Sequence, residues 1–161
     1  MPHILFICTA NICRSPVAEG LLRRRLEDEG LADWTVSSAG TWAQLRRGAA
    51  STSIELLAGR GIDISDHRAR EVTRQAVEAA DLILCMEAGH AEALRVEFPQ
   101  AAERIFLLSE MAGEKEDVKD PYGGPYHGYV RMVDELSELI ETGLPRILGV
   151  AGRFGYKRQQ Q

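Results

Sequence analysis

Short runs of apolar, β-forming residues alternate along this chain with longer segments whose apolar positions recur at helical spacing. The first run is His3-Ile4-Leu5-Phe6-Ile7-Cys8, and further strand-like runs stand at 34–39, 81–86 and 104–108. Between them, helices are expected over 17–29 with Gly30 as a stop, over 49–60 with Gly61 as a stop, over 73–80, and over 89–98 ahead of Pro99. A last helix is expected at 129–142, where Gly143 and Pro145 break the pattern. Residues 40–48, 62–70 and 111–128 read as connections, the last rich in Gly, Pro and acids. Strands alternating with helices predict an α/β fold, a parallel sheet with helices on both faces. Ligands of such sheets bind beyond the carboxyl ends of the strands, and Cys8 stands at one.

The turn after Cys8 concentrates the chemistry. Thr9, Ala10, Asn11, Ile12, Cys13 and Arg14 lead into Ser15 and Pro16, which fit an N-cap and a first helical position. The loop's backbone N–H groups then lie beside a helix N-terminus, where unpaired donors and the helix dipole favour an anion. That field also stabilises a thiolate at Cys8. Arg14 adds a fixed cation whose planar fork grips two oxygens of a phosphate. Nucleophile, cradle (Thr9 to Ser15) and clamp on one short loop predict phosphoryl transfer through a cysteinyl-phosphate. Such a reaction needs a general acid. Asp120 is the candidate, because Pro121 biases it to an extended conformation that helps to aim its carboxylate.

Composition narrows the class. At 161 residues, residues 1–152 are expected to form a single domain, followed by a loose basic tail over 153–161. The net charge of −5 gives no reason to expect nucleic acid or an anionic membrane as partner. The Arg23-Arg24-Arg25 cluster is followed by acids and reads as a solvated helix face. The opening apolar run is too short for a signal or membrane segment. An odd count of 3 cysteines argues against a disulfide scaffold and for a reducing cytoplasm. No metal site is apparent, since neither the cysteines nor His3, His67, His90 and His127 show ligand spacing, and no cofactor is expected. Cys85, in a buried strand, is expected only to pack.

Cys8 to Pro16 resembles the signature loop of the low-molecular-weight protein tyrosine phosphatases, Cys-x-Gly-Asn-x-Cys-Arg-Ser-Pro, departing from it at Ala10. If that position needs positive φ, Ala10 is strained. The resemblance covers nearly the whole chain. It implies a four-stranded parallel sheet, flavodoxin-like in outline, and metal-independent hydrolysis of phosphotyrosine in protein substrates by a cytoplasmic monomer or weak dimer. It assigns Cys8 as nucleophile, Arg14 as clamp and Asp120 as the acid that then activates water. It also implies that Asn11 is braced by Ser15, Ser38 and His67, and that Ile12, Trp42 and Tyr122 line the substrate pocket. The second tyrosine of eukaryotic members is Gly123 here, so regulation at that position does not carry over. Cys13 matches the family's redox-resolving cysteine; packing under the helix is the other reading.

Three alternatives accompany this. Protein arginine phosphatases have the same chemistry and share Thr9 and the Asp-Pro-aromatic-Gly-Gly run. They resemble this chain less at Ile12, where they carry Thr and where an apolar branch favours a ring over a guanidinium. Arsenate reductases of this fold need a cysteine relay, and Glu92 stands where Cys85 would need a partner. A non-catalytic phosphate-binding or redox-sensing module is the third, although nucleophile, clamp and acid are all present.

Overall fold

The computed structural model describes all residues, Met1–Gln161. Four strands, β1 (His3–Cys8), β2 (Thr35–Gly40), β3 (Leu82–Cys85) and β4 (Ile105–Leu107), form one parallel sheet in the order β2-β1-β3-β4. The helices are α1 (Arg14–Asp28), α2 (Ser51–Ala58), α3 (Arg74–Ala79), α4 (Ala88–Glu97), α5 (Leu108–Met111) and α6 (Tyr126–Gln159), with a 3₁₀ turn at Pro99–Arg104. Chain order reverses between β1 and β3, so the crevice at the carboxyl end of β1 is the switch point of the sheet. Cys8 is the last residue of β1, in register with Gly40.

Strand alternation divides the core. Ile4, Phe6, Leu82 and Leu84 face the larger cluster, beneath α1 and α6, whereas Leu5, Ile7, Ile83 and Cys85 face the smaller one with Val77, Ala91 and Leu94. Both faces of β1 are therefore dry, which explains its unbroken apolar run.

Local structure departs from expectation at two places. Cys13, not Ser15, precedes the first residue of α1, and it makes no side-chain cap. Ser15 lies inside the helix with its hydroxyl directed into the loop. Gly143 and Pro145 do not end the last helix. A Cβ on Gly143 would meet Cβ of Met111 at 2.8 Å, so the glycine serves the close approach of α5 and α6.

The expected loose tail is also corrected. α6 runs to Gln159, and Ile147, Ala151 and Phe154 prolong its buried stripe past Pro145. Arg158 Nη1 donates to the Ala80 carbonyl at 2.7 Å and to Asp81 Oδ1 at 3.0 Å, while Asp81 Oδ2 accepts from the His3 amide at 2.7 Å. Burial of one face and a charge-assisted anchor hold residues that composition alone marks as polar. No helix is long and apolar enough to cross a membrane.

Candidate active site

The loop after β1 is held from behind by its carbonyls. Cys8 O accepts from the Thr41 amide (3.0 Å), Thr9 O from Trp42 (2.9 Å), Ala10 O from Gln44 (3.0 Å) and Ile12 O from Ala50 (2.8 Å). The Asn11 carbonyl accepts from His67 Nε2 at 2.7 Å, which places the ring proton on that nitrogen. With every carbonyl from Cys8 to Ile12 bound, the amides turn the other way. The N–H groups of Thr9, Ala10, Asn11, Ile12 and Cys13 donate to no protein acceptor. They form a concave set of donors of the kind that binds oxyanions. Gly40 permits this, because a Cβ there would lie 2.3 Å from the Thr9 carbonyl oxygen.

Asn11 shapes the turn. It adopts φ 60°, the left-handed region that Asn tolerates, and Arg46 is the other non-glycine residue there. Ala10 is outside that region, so replacing the family's usual glycine carries no such strain. The Asn11 side chain donates to Ser15 Oγ (2.7 Å) and Ser38 Oγ (3.0 Å) and accepts from the Arg70 amide (3.0 Å). Ser38 in turn donates to Glu19 Oε1 at 2.7 Å. Ser15, Ser38 and His67 thus all converge on Asn11, together with Glu19 and Arg70, which sequence reasoning did not single out.

Ser15 Oγ lies 2.9 Å from Cys8 Sγ. Because Asn11 already donates to that oxygen, the hydroxyl proton is free to stabilise a sulfur anion.

Arg14 is 1% exposed. Its Nη1 donates to Glu87 Oε2 and to the Val118 carbonyl, both at 2.7 Å, and its Nη2 approaches Thr9 Oγ1 at 3.4 Å. Nη2 also lies 3.6 Å from Asp120 Oδ2. One nitrogen is thereby fixed to the scaffold and the other faces the loop and the acid. Val118 is itself anchored, its amide donating to the Met86 carbonyl at 2.8 Å. Asp120 Oδ1 accepts from the Tyr122 amide at 3.0 Å, and the turn continues through Gly123 at φ 75°. Asp120 remains partly exposed.

Glu87 and His90 belong to the site although neither was singled out for it from sequence. Their available signal was position, since both follow directly on the carboxyl end of β3.

The three residues assigned to the substrate pocket separate. Trp42 is 81% and Tyr122 57% exposed, whereas Ile12 is buried in the larger core cluster. Ile12 is therefore not a rim residue. Cys13 is likewise buried, 3.8 Å from the Tyr129 hydroxyl, and burial above all pushes its thiol up to about 11. Cys85 is fully buried and its thiol is raised further, by the same cause.

A thiol and a guanidinium beneath a ring of free amides, at the switch point of a parallel sheet, define a cysteine-dependent phosphatase. The comparisons agree. The family described as low molecular weight phosphotyrosine protein phosphatase matches residues 3–148. A probable low molecular weight protein-tyrosine-phosphatase, EpsP, of Ralstonia nicotianae is 35% identical over 144 residues, 89% of this chain and 94% of that protein. A protein-arginine-phosphatase of Bacillus subtilis is 37% identical over 138 residues, 85% of this chain and 91% of its own. The crystal structure of a low molecular weight protein tyrosine phosphatase from T. tengcongensis is 39% identical, with a TM-score of 0.86 over 91% of this chain and 99% of that one. The chain belongs to the low-molecular-weight phosphotyrosine protein phosphatase family.

Proposed function

We propose that this enzyme hydrolyses phosphotyrosine in cytoplasmic proteins, acting as a monomer or weak dimer. Cys8 thiolate attacks phosphorus and displaces the tyrosyl oxygen, which takes a proton from Asp120. Water, deprotonated by the Asp120 carboxylate, then cleaves the cysteinyl-phosphate, and sulfur departs towards the Ser15 hydroxyl. The amides of Thr9 to Ser15 and the free face of Arg14 hold the phosphoryl oxygens throughout. The observation that carries this reading is the set of undonated amides beside Cys8, with every carbonyl of the loop tied back.

Two exposed aromatics, Trp42 and Tyr122, support a flat ring as the group attached to phosphate. Arginine phosphorylation is the second reading. It is favoured by Thr9, by the Asp120-to-Gly124 run and by the 37% identity to the Bacillus subtilis protein-arginine-phosphatase.

The test compares phosphotyrosine and phosphoarginine peptides with wild type and Cys8→Ser, without metal and with reductant. Dominant phosphotyrosine turnover that Cys8→Ser abolishes is the expected result. Dominant phosphoarginine turnover would transfer the same chemistry to the second reading, and full activity in Cys8→Ser would end both.

A further inference from the structure

Next to the phosphate cradle lies a buried imidazole that the mechanism above does not use. His90 opens the third position of α4 and is 7% exposed. Its Nδ1 meets the backbone N–H of Glu87 at 3.2 Å, and its Nε2 lies 2.9 Å from Thr9 Oγ1. An N–H meets only an unprotonated ring nitrogen, so Nδ1 accepts and the single ring proton is on Nε2. His90 therefore donates to Thr9. Arg14 Nη2 is directed at the same oxygen from 3.4 Å. A hydroxyl has two acceptor positions and one donor; with the acceptor positions engaged by His90 and Arg14, its proton must be given to a third partner.

We propose that neutral His90 is a positioning residue: it fixes Thr9 so that the Thr9 hydroxyl donates to the phosphoryl oxygen held by Arg14 Nη2. The inference rests on the phosphatase reading of the loop. Three elements meet here, the loop through Thr9, α1 through Arg14, and the start of α4 through Glu87, whose carboxylate binds Arg14 at 2.7 Å and lies 3.6 Å from His90 Nε2. His90 is the residue that joins the first to the third.

Protonation would undo the arrangement. A proton on Nδ1 would face the Glu87 N–H donor to donor and release the start of α4. The charged groups around the ring are Arg14, which opposes its protonation, and Glu87, Asp117 and Asp120, which favour it; burial is the largest influence and also opposes it. The imidazole is accordingly held below its ordinary value of 6.5 and is neutral at pH 7.

The experiment measures kcat/KM for an aryl phosphate across pH, together with the rise in Tm caused by inorganic phosphate, which reads oxyanion binding without turnover. The variants are His90→Asn, His90→Gln, Thr9→Val and the His90→Asn/Thr9→Val double. Asn retains an acceptor near Nδ1 but loses the donor to Thr9, whereas the Gln amide nitrogen reaches the place of Nε2. His90→Asn and Thr9→Val should each lower kcat/KM roughly three- to tenfold, the loss expected for one hydrogen bond, and should reduce the phosphate-induced rise in Tm. His90→Gln should recover most of both and lack the acid-side decline due to imidazole protonation. The double variant should be no worse than either single variant.

Additive losses, or His90→Gln as impaired as His90→Asn, would overturn the proposal, as would phosphate stabilisation unchanged in His90→Asn. Failure of the underlying reading looks different. Turnover would then survive Cys8→Ser, or be absent from wild type, whatever residue stands at 90, while the phosphate-binding comparison still decides the role of His90.

Discussion

The guanidinium of Arg14 donates to the carbonyl of Val118 at 2.7 Å across 104 residues of sequence. Two positions after Val118 comes Asp120, whose Oδ2 lies 3.6 Å from the other terminal nitrogen of the same side chain. The proposed phosphate clamp thus also fixes the segment that carries the proposed general acid, and a change at Arg14 reaches both.

Arg14→Lys keeps the charge and loses the fork. A single ammonium cannot reproduce the donors to Glu87 and Val118 while also reaching the phosphoryl group. Activity should fall by about 10²–10³-fold, the usual loss when a transition-state donor is removed. Steady-state kinetics beside a thermal melt checks this, with Tm lowered as well because Glu87 and Val118 lose a buried donor.

Asp120→Asn preserves the turn, since an amide oxygen accepts from the Tyr122 amide as the carboxylate does. The proton donor is lost. With a phenolic leaving group of high pKa, kcat/KM, which reports the step that expels it, should fall by roughly 10²–10⁴-fold, the worth of a positioned acid. The deficit should shrink as leaving groups become more acidic, which a series of substituted aryl phosphates measures.

Gly40→Ala tests the backing of the loop. The added carbon would stand 2.3 Å from the Thr9 carbonyl oxygen, a backbone atom that cannot swing aside. Destabilisation of about 1–3 kcal/mol is expected from denaturant unfolding, as for other overpacked sites. Weakened binding of inorganic phosphate should accompany it, because the carbonyls of Thr9 and Ala10 orient the loop.

Cys13 and Cys8 offer a pH experiment. If oxidised Cys8 is captured by Cys13, the attacking thiol must first ionise, and burial holds Cys13 up to about 11. The disulfide should therefore form about tenfold faster for each pH unit above neutrality until that value is approached. Trapping thiols with an alkylating reagent after peroxide treatment follows the rate. A rate that levels off near the free-thiol value of about 8.5 would show that the fold opens before Cys13 reacts.

His3 and His90 make stability fall on the acid side. Burial is the main cause that holds both imidazoles below 6.5 in the folded chain. Just below 6.5 the unfolded chain therefore binds more protons, so stability rises with pH through that window and declines as pH drops through it. Melting curves from pH 7 to 5 should show a falling Tm, less steep in His90→Gln.

Much of this was legible in the sequence, for identifiable reasons. β1 and β3 are buried on nearly every position, and their continuous apolar character survives in one dimension, whereas the edge strand β2 shows itself only by its β-forming residues. The turn from Cys8 to Pro16 is also local, so its thiol, guanidinium and hydroxyl are near one another in any fold that makes the turn. The helix pattern was less reliable where tertiary contact overrode it. Gly143 and Pro145 looked like a break, but the buried stripe beyond them and the Arg158–Asp81 contact carry the helix on to Gln159.

By itself, then, the chain determined an alternating parallel sheet and the tight turn from Cys8 to Pro16 that gathers a thiol, a guanidinium and a hydroxyl, because each depends on neighbours a few residues apart. Tertiary structure decided what surrounds them. Glu87 and His90 reach the loop only because β3 pairs beside β1, Val118 only because its amide bonds Met86, and Ile12 goes inward because α1 packs there. These are contacts between elements far apart in sequence, and no local periodicity encodes which side chain will face which across a sheet edge.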